Sequence, residues 1–301
     1  MKLFSPIQAV QEAIYPVKGR VVTLLLKFLP IQLPIVFKGA GSTVSMCEQI
    51  EAIGYKKVLI VTDKVLLDLG AIDSMKEALD RLGVAYEIYH GVLPNPEYTQ
   101  VQEALELFQS TGCEAVVSVG GGSVIDAAKM VAMLHTNPGD LKKFDGIQKF
   151  KNPGVTQFVV PSTSGTGSEA SVGAVITDPE THSKVVVIDT KMAPQYVALD
   201  SEITKGMPPF ITSATGMDAL THAVESYLTI SKDQNSKSLA KTATKLIFGN
   251  LLEAYKDGSN IAARDNVALA AYYAGVAMSR TSLGYVHGVA HQLGRLCNTP
   301  H

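Results

Sequence analysis

Between residues 35 and 165, short apolar β-rich runs alternate with longer helical ones, and this alternation restricts the fold more than any other feature. Ile35–Lys38 reads as a strand. Lys57–Thr62 reads as a second one, ending at Asp63, and Lys64–Leu82 as a helix stopped by Gly83. Ala85–Tyr89 is the next strand. Glu97–Ser110 is a helix with Val101, Leu105 and Phe108 at three- and four-residue spacing. Ala115–Val119 carries no charge, which implies a strand buried on both faces. Ser123–Leu134 is helical and Gln157–Val160 is again a strand. Strands separated by helices in this way form a parallel sheet covered by helices.

Past residue 170 the period changes. Gly173–Thr177 and Lys184–Ile188 are β runs joined by a turn-rich connection, residues 178–182, and read as a hairpin beside the sheet. Val197–Asp200 is the last strand. From Pro208 onward strand signals stop. Pro208-Pro209 suits a helix start. Ser238–Tyr255 is amphipathic, with Leu239, Leu246, Leu251 and Leu252, and is closed by Gly258. In the Ala-rich run from Ile261 to about Arg280, the small residues Ala270, Ala274, Gly275 and Ala277 allow close helix contacts. The expected division is a leader over 1–35, a dinucleotide-binding α/β domain over 36–200 and a helical metal-binding domain over 201–301.

The length of 301 residues and a 46% hydrophobic content can supply two such cores. A net charge of −2 gives no reason to expect nucleic acid or an anionic membrane as partner. Cys47, Cys113 and Cys297 form no C-x-x-C pair and read as reduced thiols of a cytoplasmic protein. Val21–Phe37 is apolar but interrupted by Lys27, Pro30 and Pro34, too short and broken for a membrane span. It reads as a leader packed on the body.

Two loops follow strands. Gly120-Gly121-Gly122-Ser123 lies between a strand and a helix, where free amides and the helix dipole favour a pyrophosphate. Ser123 and Asp126 also form an S-x-x-D capping pattern. The alternative is a tight, well-capped turn, and Ile125 stands where G-x-G-x-x-G needs its last glycine. The second loop, Pro161–Glu169, offers hydroxyls and amides to a phosphate or a carboxamide; its alternative is a plain flexible loop. Asp63, at a strand end, suits the ribose hydroxyls of NAD and repels a 2′-phosphate, or it caps the next helix. Asn95 and Lys184 are weaker candidates.

In the helical half, Asp218 and His222 are four residues apart and share a helix face. With two histidines from His287, His291 and His301 they could make one oxygen and three nitrogen donors, a set suited to Fe(II) or Zn(II) rather than calcium or magnesium. The plain alternative is a solvated carboxylate beside a core histidine.

Together VTDK (61–64), PNP (94–96), GGGS-x-x-D (120–126), PSTSGTGSE (161–169), TGMDALTHAVESY (215–227) and HGVAHQLG-x-x-x-NTPH (287–301) resemble the iron-containing (group III) alcohol dehydrogenases, from about residue 36 to the last residue. The resemblance implies a nucleotide-binding α/β domain followed by an all-α metal domain, the dehydroquinate synthase-like architecture. It implies hydride transfer between NAD and an alcohol or aldehyde. The metal, Fe(II) with Zn as the alternative, would be held by Asp218, His222, His287 and His301, with His291 beside the nicotinamide. For NAD it implies Asp63, Asn95, Gly121, Gly122, Ser162, Thr163 and Lys184, with a possible backbone contact at Leu199; Ser123 and Asp126 join from the loop pattern. A homo-oligomer, a dimer by analogy, is expected. The family continues past the position of His301, so a C-terminally truncated chain is expected, with a non-catalytic NAD-binding homologue as the alternative. A metal hydrolase with merely structural glycine loops is the reading from another class.

Overall fold

A computed structural model describes residues 31–181, 183–230 and 233–297; most of the expected leader, and His301, lie outside them. In chain order the α/β half begins with strand β1 (Ile35–Lys38), helix α1 (Ser42–Ile53), β2 (Lys57–Val61), α2 (Lys64–Asp68) and α3 (Asp73–Leu82). It continues with β3 (Ala85–Tyr89), α4 (Tyr98–Thr111), β4 (Ala115–Gly120), α5 (Gly122–Thr136), the short β5 (Gly146–Ile147) and β6 (Gln157–Pro161). Then come β7 (Gly173–Thr177), β8 (Lys184–Ile188) and β9 (Tyr196–Leu199).

Six of these strands form one parallel sheet in the order β1-β9-β6-β4-β2-β3. The period of two sorts its side chains onto two faces. On one face Leu59, Val61 and Val116 meet α4 and α5 through Val101, Phe108, Val124 and Val131. On the other, Val58, Ile60, Val117 and Phe158 meet α1 and α3 through Met46, Ile50, Met75 and Leu79. Both faces are covered, so β4 is buried along its whole length, as its uncharged sequence requires.

One expectation needs correction. Lys64–Leu82 is not one helix: α2 ends at Asp68, and Gly70, with φ +70°, turns the chain before α3 starts at Asp73. The hairpin β7–β8 is antiparallel and stands beside the main sheet, as expected, and β5 adds to it in parallel to make a separate three-stranded sheet.

The rest of the described chain is helical: α6 (Ser201–Thr204), α7 (Pro209–Leu228), α8 (Gln234–Lys256), α9 (Ile261–Thr281) and α10 (Tyr285–Cys297). Alanines make the close contacts. Ala219 and Ala223 of α7, Ala243 of α8, and Ala270, Ala271 and Ala274 of α9 form one cluster with Ile247. Gly216 gives room to Leu251, whose methyl would lie 2.3 Å from an added Cβ. Leu252, expected on the apolar face of its helix, is instead 58% exposed.

Buried polar groups tie successive elements together. Asp200, after β9, accepts from the amides of Gly41, Thr43 and Glu202, so one carboxylate caps α6 and holds the start of α1. Arg264 is fully buried and donates to Gly258 O, Thr212 Oγ1 and Met207 O, fastening α9 to the chain entering α7.

Candidate active site

Helix α7 is long enough to carry Asp218, His222 and Glu225 on one face, at spacings of four and three residues. Helix α10 presents His287 to that face. Asp218 Oδ1 lies 3.2 Å from His287 Nε2 and 3.7 Å from His222 Nε2. The two imidazole rings stack with centroids 4.4 Å apart and planes 12° from parallel. Side-chain exposure is only 5% for His222, 3% for His287 and 12% for Asp218. The donor atoms of these three residues all lie within 4.8 Å of one another, and no other such group of possible metal donors occurs among the described residues.

Glu225 completes the corner. Its Oε2 lies 2.7 Å from His287 Nδ1 and accepts from Gly284 N at 2.7 Å, while Oε1 accepts from Val286 N at 2.7 Å. It therefore caps the start of α10 and orients the ring in one stroke. Burial works against this carboxylate, but those amides and His287 outweigh it and hold its pKa below the usual range. Gly284 has no side chain because a Cβ there would fall 2.7 Å from the Glu225 carboxyl. Burial likewise opposes charge on His287, and Asp218 and Glu225 reverse that effect and raise its pKa.

The donor set suits a divalent transition metal. For metal–ligand bonds of about 2.1 Å, neighbouring donors lie about 3–3.5 Å apart, close to the separations found around Asp218 Oδ1. Glu225 fixes Nδ1 of His287 as the N–H side and leaves Nε2 as the donor. His291 sits one turn after His287, ring centroids 6.3 Å apart, and is exposed.

The second set of candidates lies at the C-terminal ends of β2, β4 and β6. Gly120 pairs with Pro161 in register, and Ser162 N donates to Gly120 O, so the two loops leave the sheet side by side. Gly121 approaches Thr163. At Gly122 an added Cβ would lie 2.9 Å from the Thr166 methyl, so this position admits only glycine without a shift. Helix α5 begins at Gly122 with Gly121 as its N-cap, which leaves its first amides without a side-chain cap. Asp63 caps α2 through Leu66 N using Oδ1, so the capping role predicted for it is real. Lys184 Nζ donates to Asn95 Oδ1 and Thr177 Oγ1, both at 2.8 Å, which brings the two weaker candidates together on the hairpin side. Asn95 has φ +60°, a left-handed residue fixed by the turn.

Two readings at this edge, the S-x-x-D cap and the plain flexible loop, are corrected. The S-x-x-D pattern is no cap: Ser123 is already inside α5, and Asp126 accepts from Ser168 Oγ at 2.5 Å and Val175 N at 2.9 Å. Leu199 is 1% exposed in the core, and its carbonyl accepts from Gly39 N in the turn after β1. Residues 162–169 are no plain flexible loop. A Cβ at Gly165 would strike Thr215, and one at Gly167 would strike Gly275, so the loop is pressed against α7 and α9. Thr215 is one turn before Asp218, so the loop edge and the Asp–His corner adjoin.

The family described as iron-containing alcohol dehydrogenase matches residues 34–201, and its C-terminal part matches residues 212–301. The chain belongs to the iron-containing alcohol dehydrogenase family. Among its relatives is the lactaldehyde reductase of Escherichia coli K12, 37% identical over 87% of this chain and 69% of that protein. A solved 1,3-propanediol oxidoreductase superposes with a TM-score of 0.88 at 38% identity, covering 91% of this chain and 72% of the other. The sulfoacetaldehyde reductase of Bifidobacterium kashiwanohense, solved in complex with NAD+, superposes at 0.84 with 27% identity, covering 91% and 73%. As an iron-containing alcohol dehydrogenase the chain is an oxidoreductase of alcohols and aldehydes, and NAD and iron are the family's cofactors. Its parallel α/β half followed by helices is the architecture of those structures. Among the described residues no helix is long and apolar enough to cross a membrane.

Sequence reasoning missed Glu225, Thr166 and Gly284. The signal for Glu225 was present, a carboxylate seven residues after Asp218 on the same helix face, but its partner 62 residues away was not visible.

Proposed function

We propose that Asp218, His222 and His287 hold a divalent iron, with His301 as the expected fourth donor, and that NAD lies across the loops 120–123 and 162–166. The observation that carries this reading is the convergence of two buried histidines on Asp218 Oδ1, one helical turn from the Thr215 contact with the second loop. When bound, the iron supplies Lewis acidity toward an alcohol or aldehyde oxygen, and the nicotinamide exchanges the hydride. The chain's own residues bind and orient. The uncapped amides at Gly122 and Ser123 hold phosphate oxygens, with the dipole of α5 behind them. Ser162 and Thr163 contact the cofactor farther along the cradle. Asp63 has a second carboxylate oxygen, beyond the one that caps α2, for the ribose hydroxyls, which selects NAD over NADP. Asn95 and Lys184 close the hairpin side. Glu225 keeps Nε2 of His287 directed at Asp218. His291, exposed and one turn beyond His287, passes the alcohol proton to solvent.

Short alcohols and aldehydes are the substrate class, by analogy with the relatives named above. Assembly with a second copy of the chain and a cytoplasmic location complete the reading; the free, buried Cys47 and Cys113 suit a reducing compartment. Family membership favours an oxidoreductase over the non-catalytic and hydrolase alternatives.

The test is NADH oxidation with short aldehydes after anaerobic loading with Fe(II), beside His222→Ala. Iron content and turnover are expected to vanish in the variant while NADH fluorescence still reports binding. Full turnover in His222→Ala would remove the metal assignment.

A further inference from the structure

Helix α7 has a face that the metal corner does not use. Phe210, Met217 and Val224 recur at seven-residue spacing along it, and Ala214, Thr221 and Leu228 each follow four residues later. That repeat is the pattern of a helix that lies lengthwise against another helix. None of these six positions carries a charge. Yet Phe210 is 67% exposed, Met217 52%, Val224 39% and Leu228 73%.

Helix α8 extends the same face. Its Asn250 is bonded to Asn266 of α9, and its Leu251 lies against Gly216 of α7. Each further residue is about 100° farther round a helix, so Leu252 faces away from α9 and runs alongside α7. Phe248 and Tyr255 share that side, and all three are exposed. On α7, Ala219 and Ala223 pack toward α8 and α9, which leaves Met217 on the side away from α9 as well. The two helices therefore form one shallow apolar trough, about 30 Å long.

The trough is larger than ordinary monomer surface. Its seven apolar side chains expose on the order of 800 Å², where the largest patch on a typical monomer covers roughly 300–600 Å². About 800 Å² is also the share that each partner gives to a standard interface. The stripe on α7 is complementary to itself. Laid antiparallel on a second α7, about a two-fold axis midway between Met217 and Thr221, it sets Phe210 against the partner's Leu228. Met217 then meets the partner's Thr221, and Val224 meets the partner's Ala214. A larger side chain faces a smaller one at two levels, and the bulkiest pair closes each end.

We propose that this face binds a second copy of the chain, α7 against α7 in antiparallel, with Phe248, Leu252 and Tyr255 of α8 along the flanks. The proposal rests on the reading that the chain assembles with a second copy, and adds the surface it uses. Because α7 also carries Asp218 and His222, the pairing braces the helix on which two of the metal donors stand.

The test is sedimentation equilibrium of the full chain and of Phe210→Lys and Leu228→Glu, with circular dichroism as the check on folding. Both positions are exposed within one chain, so neither variant buries a charge in the monomer. Wild type is expected to be a dimer. Each variant alone puts two charges into the seam and should weaken pairing roughly 100-fold or more. Mixed in equal amounts, the two should pair again. In the mixed dimer the new lysine meets the new glutamate at one end, and the native Phe210–Leu228 contact survives at the other. Phe248→Glu, on the flank, should weaken pairing about 10-fold, and it carries the test if an α7 variant fails to fold. A dimer that survives all three variants keeps the assembly and overturns this surface. Loss in both α7 variants without recovery on mixing overturns the antiparallel pairing. A wild-type monomer at micromolar concentration overturns the assembly and the surface together. In that monomer, protection of Phe248→Cys from a maleimide would assign the face to another segment of this same chain.

Discussion

The loop edge of the sheet and the Asp–His corner are built on opposite plans. The edge is backbone and hydroxyl, standing on strands whose side chains are buried on both faces. Its geometry is inherited from the sheet, because moving Gly120 or Ser162 means moving Val119 or Val160 in the core. The corner is side chain only and depends on α10, a helix with Tyr285 94% exposed and Val286 and Val289 about 60% exposed. What seats α10 there includes Glu225, with its bonds to Gly284, Val286 and His287. With NAD and iron placed as proposed, the difference teaches that the two cofactors depend on different physics. Cofactor geometry at the edge is paid in hydrophobic burial, and at the corner it hangs on a few charge-assisted hydrogen bonds.

Four substitutions would break or sharpen this contrast. The largest effect belongs to Phe158→Ala. Phe158 is fully buried and stacks on Tyr196 at 4.7 Å, so its loss should cost about 3–5 kcal/mol in denaturant unfolding. NADH affinity should fall with it as the edge loosens. Glu225→Ala should lower iron affinity roughly 10–100-fold in a chelator competition, with NADH affinity kept. If both ligands weaken together there, the corner and the edge are one unit and the contrast fails.

Glu169→Gln sharpens the contrast through pH. Burial raises the Glu169 pKa from 4.5 to about 7, so the folded state binds the proton more tightly than the unfolded chain does. The contribution of Glu169 to stability is therefore at its fullest below pH 4.5 and declines as pH rises to about 7. The Gln variant escapes that decline, and its advantage should grow across the window by on the order of 1–3 kcal/mol, then level off. Melting curves at several pH values read this; a pH-independent difference would argue that Glu169 is not buried as an acid. The smallest effect is expected from Asp63→Ala. Loss of the cap on α2 should cost about 1 kcal/mol. The same variant should accept NADPH better than wild type, which steady-state rates with both cofactors would show.

The fold was legible where periodicity carries it. β4 announces its double burial by lacking charge, and Pro209 opens α7 as expected. It was illegible at 69–72, where helical propensity continues through a turn that Gly70 makes in the left-handed region. The Asp218–His222 pair could be read from helix spacing, because both donors lie on one element. Asp126 could not: its S-x-x-D spacing mimics a cap, and only the arrival of Ser168 and Val175 shows its partners. Ile125 illustrates the same limit. It breaks the glycine fingerprint because its side chain is committed to Val159 and Tyr272 between the halves. Glu225 has long-range partners too, and nothing local in the sequence marks such a side chain as an anchor.

The contact of Gly167 with Gly275 has a consequence for how this chain can vary. An added Cβ at Gly167 would lie 2.6 Å from Gly275 Cα, and one at Gly275 would lie 2.7 Å from Gly167 O. Most packed pairs can trade volume, one residue growing as its neighbour shrinks. Here neither residue has an atom to give up, and Gly167 at φ +62° would resist a side chain even in open space. No compensating pair of substitutions exists, so the seam between the halves can drift around this point but not through it.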